Sequence, residues 1–154
     1  MEERTEVVRV LNGLLTTELR AINQYFLDSK LAGHWGFERL AQHFRHDSFE
    51  EMRDAEALAD RILLLGGLPN LQDLGKLYIG ENLKEVIECD YRLELEGIAH
   101  YRKAIGLCEA ARDYVSRDLL SEILEDEEEH QDHNRSELEL IDKIGIQNFG
   151  QSQI

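Results

Sequence analysis

In four separate stretches of this chain, apolar residues recur every three to four positions and are then interrupted, near the middle, by an acid on the same stripe. The first stripe reads Val7/Val8, Leu11, Leu14/Leu15, Glu18, Ile22, Tyr25/Phe26. The second reads Leu40, Phe44, Asp47, Glu51, Asp54/Ala55, Leu58, Ile62, Leu65. The third reads Leu83, Val86/Ile87, Asp90, Glu94, Gly97/Ile98, Tyr101, Ile105, and the fourth Val115, Leu119, Ile123, Glu127, His130, Asn134, Leu138, Ile141. An ionised carboxylate on a core-facing stripe is costly unless it is paired or binds metal. The pattern therefore restricts the chain to folds in which these acids face one another across one core.

The periodicity predicts helices over residues 5–31, 37–65, 81–110 and 114–143. Residues 146–151 can form at most a short fifth helix, which Gly150 weakens. The segment 32–36, with Gly33 and Gly36, is expected to break the first helix, and Gly66-Gly67 to end the second. Between the second and third lie residues 66–80, with the single proline Pro69. A helix of roughly 28 residues is about 42 Å long, and about 15 extended residues reach up to roughly 50 Å. This connector can run the length of a bundle and let helices two and three lie parallel, whereas the other two connections are short and make their helices antiparallel neighbours. The expected fold is all-α, two antiparallel hairpins joined by a long crossover, with residues 1–154 forming one domain.

Charge narrows the partners. With 32 acidic against 17 basic residues the formal net charge is −15, which disfavours nucleic acid and anionic membrane, since phosphate binding needs clustered Lys and Arg. Cys89 and Cys108 have no CxxC spacing and point to a reducing compartment. The charged start is unlike a signal peptide, and no apolar run is long enough for a membrane span. A cytoplasmic location is expected.

Glu18, Glu51 with Asp54, Glu94, and Glu127 with His130 all fall near mid-helix, the height at which helices of a bundle meet whichever way each runs. Glu127 and His130 are three apart and share a face. Any one of these acids alone would be read as a solvated edge. Together they place six potential ligands in one core, where several carboxylates cannot stay ionised without cations. Carboxylate oxygens with few imidazoles suit iron or manganese. One Glu from each of two helices and a Glu-x-x-His pair from each of the other two is the arrangement known for di-iron helical bundles.

Three runs carry a family resemblance: Ala21-Ile22-Asn23-Gln24-Tyr25-Phe26, Gly67-Leu68-Pro69-Asn70-Leu71-Gln72-Asp73-Leu74-Gly75-Lys76-Leu77 and Asp113-Tyr114-Val115-Ser116-Arg117-Asp118. Over nearly its whole length the chain resembles the bacterioferritins. The resemblance implies a ferritin-like four-helix bundle with a short fifth helix, 24 copies of which form a hollow shell that stores ferric mineral. It also implies a ferroxidase site in each subunit, with metal ligands on Glu18, Glu51, Glu94, Glu127 and His130. The sixth ligand falls on Asp54, where the family normally has histidine. Met52 matches the methionine through which two subunits of the family bind a b-type haem at a twofold interface. Arg45 and His133 replace aromatic residues common in the family, and His46, Asp47 and Glu50 match a cavity-facing cluster that can bind iron in transit.

The expected function is therefore iron storage and detoxification by a ferroxidase that also carries haem, with a ferredoxin-like electron donor as a further partner. Asp54 keeps a second reading open: a structural, haem-bearing subunit with an impaired site that co-assembles with an active bacterioferritin subunit. A non-storage di-iron peroxidase is a third reading, disfavoured because no paired CxxC motif is present.

Overall fold

A computed structural model describes residues 2–154 as five helices: α1 (Glu2–His34), α2 (Glu38–Leu64), α3 (Leu83–Ala110), α4 (Tyr114–Ile144) and α5 (Ile146–Gln151). No strand occurs among the described residues. The expected all-α bundle, with its long crossover and short terminal helix, is the observed one.

The boundaries follow local chemistry. Asn82 caps α3 by accepting from Glu85 N, and Asp113 caps α4 by accepting from Ser116 N, each at 3.0 Å. At the end of α2, Gly66 adopts φ 84°, and Gly67 N bonds back to Ile62 O. A side chain at position 66 would be strained in that left-handed conformation. The first helix runs further than its glycines suggest. Ala32 is buried in the core and Gly33 stays helical, so the turn is confined to Trp35 and Gly36.

Helix directions can be read from cross-helix contacts. Thr17 Oγ1 lies 2.8 Å from His100 Nδ1, and Arg20 reaches Glu96 at 3.0 Å, so α1 and α3 are antiparallel. With α1 and α2 joined by a short turn, α2 and α3 run parallel. The connector achieves this by lying along α1. Asn12 bonds Leu68 O and Asn70 N, Arg20 bonds Lys76 O, and the Gln24 amide pairs with both backbone groups of Tyr78. The bottom of α2 is fastened to the start of α4 by Arg61, which donates to Ser116 Oγ and Asp113 Oδ1, both at 2.9 Å. The short α5 packs back on the bundle. A Cβ on Gly150 would lie 2.9 Å from the Phe37 ring, so the glycine that weakens this helix in isolation is what lets it dock.

Two apolar clusters fill the bundle. One gathers Leu11, Leu14, Leu15, Leu58, Ile62 and Leu120; the other gathers Tyr25, Leu40, Phe44, Val86, Ile87 and Phe149. Between them lies a belt of buried acids. The stripes hold with two corrections. Phe26 is 58% exposed, and the fourth stripe enters the core one residue later than expected, through Ser116 and Leu120, leaving Val115 63% exposed and Leu119 half-buried. The Arg61–Asp113–Ser116 network draws Ser116 inward and sets that phase.

Candidate metal centre

Mid-stripe spacing carries one acid from each long helix into the belt. Glu18, Glu51, Glu94 and Glu127 are all buried, with Asp54 and His130 half-buried beside them. The six form two overlapping groups. Ligand atoms of Glu51, Glu94, Glu127 and His130 lie within 4.8 Å of one another, as do those of Glu18, Glu51, Asp54 and Glu127. Glu51 and Glu127 belong to both.

These side chains are poorly satisfied by the protein itself. Glu18 Oε2, Glu51 Oε1, Glu94 Oε2, Glu127 Oε1 and His130 Nδ1 are buried without a hydrogen-bond partner. His130 Nδ1 faces Glu51 Oε1 at 3.4 Å and Glu94 Oε1 at 4.0 Å. Orphaned carboxylate oxygens converging on one space are a large penalty for a structural core and a normal condition for a cation site.

The electrostatics agree. Burial first, and then the neighbouring acids, push the carboxyls of Glu18, Glu51 and Glu94 well above the usual range. Asp54 is pushed up to about 7 by burial and by Glu127 and Asp126. Burial opposes the His130 cation, but Glu94, Glu127, Asp47 and a bond to Glu50 outweigh it and raise the imidazole to about 9. Without a cation the belt holds protons; a divalent ion would displace them.

Several contributors were not legible in the stripes. The Tyr101 hydroxyl donates to Glu18 Oε1 and orients that carboxylate. Glu50 accepts from His130 Nε2 at 2.8 Å and pairs with His46 at 2.9 Å, linking the belt to the half-exposed residues beyond it. Away from the belt, Asp28 and Asp90 are both 0% exposed and face each other. Burial raises Asp28 to about 6 against the lowering bonds of Asp90 and Gln24, and raises Asp90 well above the usual range. Asp28 continues the first stripe one turn past Tyr25, a signal that was available. Met52 behaves differently from the belt residues. It is 46% exposed and lines a cleft of about 890 Å³ on the α1–α2 face, together with Ile22, Phe26, Lys30, Arg45 and Phe49.

Comparison with known proteins bears on the same residues. The ferritin-like domain family matches residues 8–144. A bacterioferritin of Mycobacterium avium is 50% identical over 147 residues, covering 96% of this chain and 92% of the relative. Bacterioferritins of Streptomyces coelicolor and Brucella melitensis are 46% and 42% identical, covering 94% and 98% of this chain. With the bundle, the crossover and this extent of identity in agreement, the chain belongs to the bacterioferritins, within the ferritin-like domain family.

Proposed function

We propose that the chain stores iron by binding two Fe(II) ions in the acidic belt, oxidising them, and passing Fe(III) to the interior of a shell built from its own copies. The carrying observation is that two four-ligand groups share Glu51 and Glu127 and leave buried carboxylate oxygens unpartnered. Glu51 and Glu127 would bridge the pair. Glu94 and His130 would complete one position, and Glu18 and Asp54 the other. Each Fe(II) is a substrate that gives one electron to dioxygen or peroxide. Arrival of the ions releases the protons held by Glu18, Glu51 and Glu94, so loading is expected to acidify the medium. Tyr101 holds Glu18 in place, and Glu50 connects the His130 position to His46 outside the belt.

The Met52 cleft fits a haem shared between two subunits. Its walls are apolar at Ile22, Phe26 and Phe49, Met52 offers a soft thioether for iron, and Lys30 and Arg45 supply cations for carboxylate substituents. Bound there, haem would supply electron transfer toward the stored mineral, with a ferredoxin-like protein as donor.

Asp54 favours a second reading. It is shorter than the histidine expected there and is about half protonated near neutral pH before metal binds. In that reading the chain is a haem-bearing subunit of a mixed shell whose oxidation is supplied by another bacterioferritin subunit. Stopped-flow oxidation by the homopolymer decides between them. Rapid turnover of two Fe(II) per subunit supports the ferroxidase, and slow oxidation that Asp54→His alone restores supports the second reading.

A further inference from the structure

The hydroxyl of Tyr101 stands one hydrogen bond from the acidic belt. Tyr101 follows Glu94 on α3 by about two turns, so both side chains lie on the buried face of that helix. From there its hydroxyl donates across the bundle to Glu18 Oε1. The residue is 0% exposed and belongs to the apolar cluster of Leu11, Leu14, Leu15 and Leu58. The Tyr78 hydroxyl also bonds a carboxylate, that of Glu96, but at the surface. Among the described residues, Tyr101 is the tyrosine bonded to a belt acid.

Orienting Glu18 needs only a hydroxyl, whereas a phenol can also give up an electron. Oxidation makes the phenol strongly acidic, so its proton must leave with the electron, and a carboxylate oxygen already accepts that proton's hydrogen bond. Complete burial keeps the resulting phenoxyl away from reductants in solution.

We propose that Tyr101 is a one-electron donor to the metal centre, used when only one of its two positions holds Fe(II). The proposal rests on the ferroxidase reading above. Hydrogen peroxide becomes two waters by taking up two electrons and two protons. A single Fe(II) gives one electron, and a reduction that stopped there would release a hydroxyl radical. Tyr101 supplies the second electron. Its O–H bond breaks as the O–O bond breaks, and the proton leaves along the hydrogen bond to Glu18 Oε1. That proton and one from the medium complete the two waters, leaving Fe(III) and a neutral phenoxyl radical on Tyr101. A later Fe(II) returns one electron to the phenoxyl, which takes back a proton, so the cycle needs no other reductant.

Freeze-quenched electron paramagnetic resonance of the assembled protein tests this. The metal-stripped shell receives one Fe(II) per subunit without oxygen, then one equivalent of hydrogen peroxide. The wild type should show a tyrosyl radical, narrowed when the protein is grown on ring-deuterated tyrosine. Exchange into D2O should remove a proton coupling that comes from the bond to Glu18. Tyr101→Phe should lose the signal and yield more hydroxyl radical to a spin trap, while Tyr78→Phe should keep the signal. Phenylalanine retains the ring, and calorimetric Zn(II) binding checks that the belt survives. Were Tyr101 only to orient Glu18, its replacement would weaken zinc binding and leave the radical signal unmoved. Fe(II) oxidised without a tyrosyl signal in the wild type, a radical with no exchangeable coupling, or the same signal in Tyr101→Phe overturns the proposal and leaves the ferroxidase reading standing. Fe(II) that peroxide leaves unoxidised overturns both.

Discussion

Replacing Asp54 by asparagine should change stability with opposite signs in the metal-free and the metal-loaded protein. In the metal-free protein the carboxyl is raised from 3.8 to about 7 by burial and by Glu127 and Asp126. Between these values the folded chain holds a proton that the unfolded chain has lost. The associated stability is present below about pH 4 and is lost as pH rises through about 7. A tenfold change in proton affinity is worth about 1.4 kcal/mol, so the shift sets a ceiling near 4 kcal/mol; screening at this half-buried position brings the expected penalty at pH 8 to about 2 kcal/mol. Asparagine is nearly isosteric and never ionises. At pH 5 the gap should be small, about a third of its full size, and at pH 8 without metal Asp54→Asn should melt about 4–8 °C higher. Saturating Zn(II) under the same conditions should reverse the order, because the wild type gains an anionic ligand that the variant lacks. Differential scanning calorimetry at the two pH values, with and without zinc, provides the four measurements. Identical melting at pH 8 without metal would refute the reasoning, since it would mean that the charge of Asp54 carries no penalty in the belt.

Other expectations follow from contacts outside the belt. Arg61→Ala removes both bonds that tie α2 to the start of α4 and should destabilise the subunit by about 2 kcal/mol in chemical denaturation. Gly150→Ala forces a Cβ to 2.9 Å from the Phe37 ring and should cost about 1–3 kcal/mol, with proteolysis of the C-terminal residues as a sensitive readout. Asp28, raised to about 6, gives the folded state extra proton binding between about pH 4 and 6; Asp28→Asn should show a shallower loss of stability than the wild type over that window.

The helices and the six belt residues were legible because a buried acid in phase with leucines is rare, and four of them at one height are mutually explanatory. The connector length was legible from chain reach alone. What one-dimensional periodicity lacks is the register between helices. Tyr101 sits on its predicted stripe, but its bond to Glu18 joins residues 83 apart. The Glu50–His130 bond and the His43–His133 contact likewise depend on how α2 slides against α4. The phase of α4 departs from the expected stripe at Val115 and Leu119 for a related reason: a side-chain network from another helix, through Arg61, makes Ser116 the inward residue.

The ties between the crossover and α1 make the connector a measuring tape with uneven slack. Along α1, Asn12 and Arg20 are separated by about 12 Å of rise and Arg20 and Gln24 by about 6 Å. The matching stretch from Asn70 to Lys76 could extend to about 20 Å, whereas that from Lys76 to Tyr78 is near its limit of about 7 Å. Surplus chain is thus stored before Lys76 and none after it. An insertion between Asn70 and Gly75 can bulge outward and leave every tie in place. One residue removed between Lys76 and Tyr78 would pull α3 along α1, moving Glu94 out of level with Glu18, so the tolerance of the acidic belt to change is set partly by the length of a connecting loop.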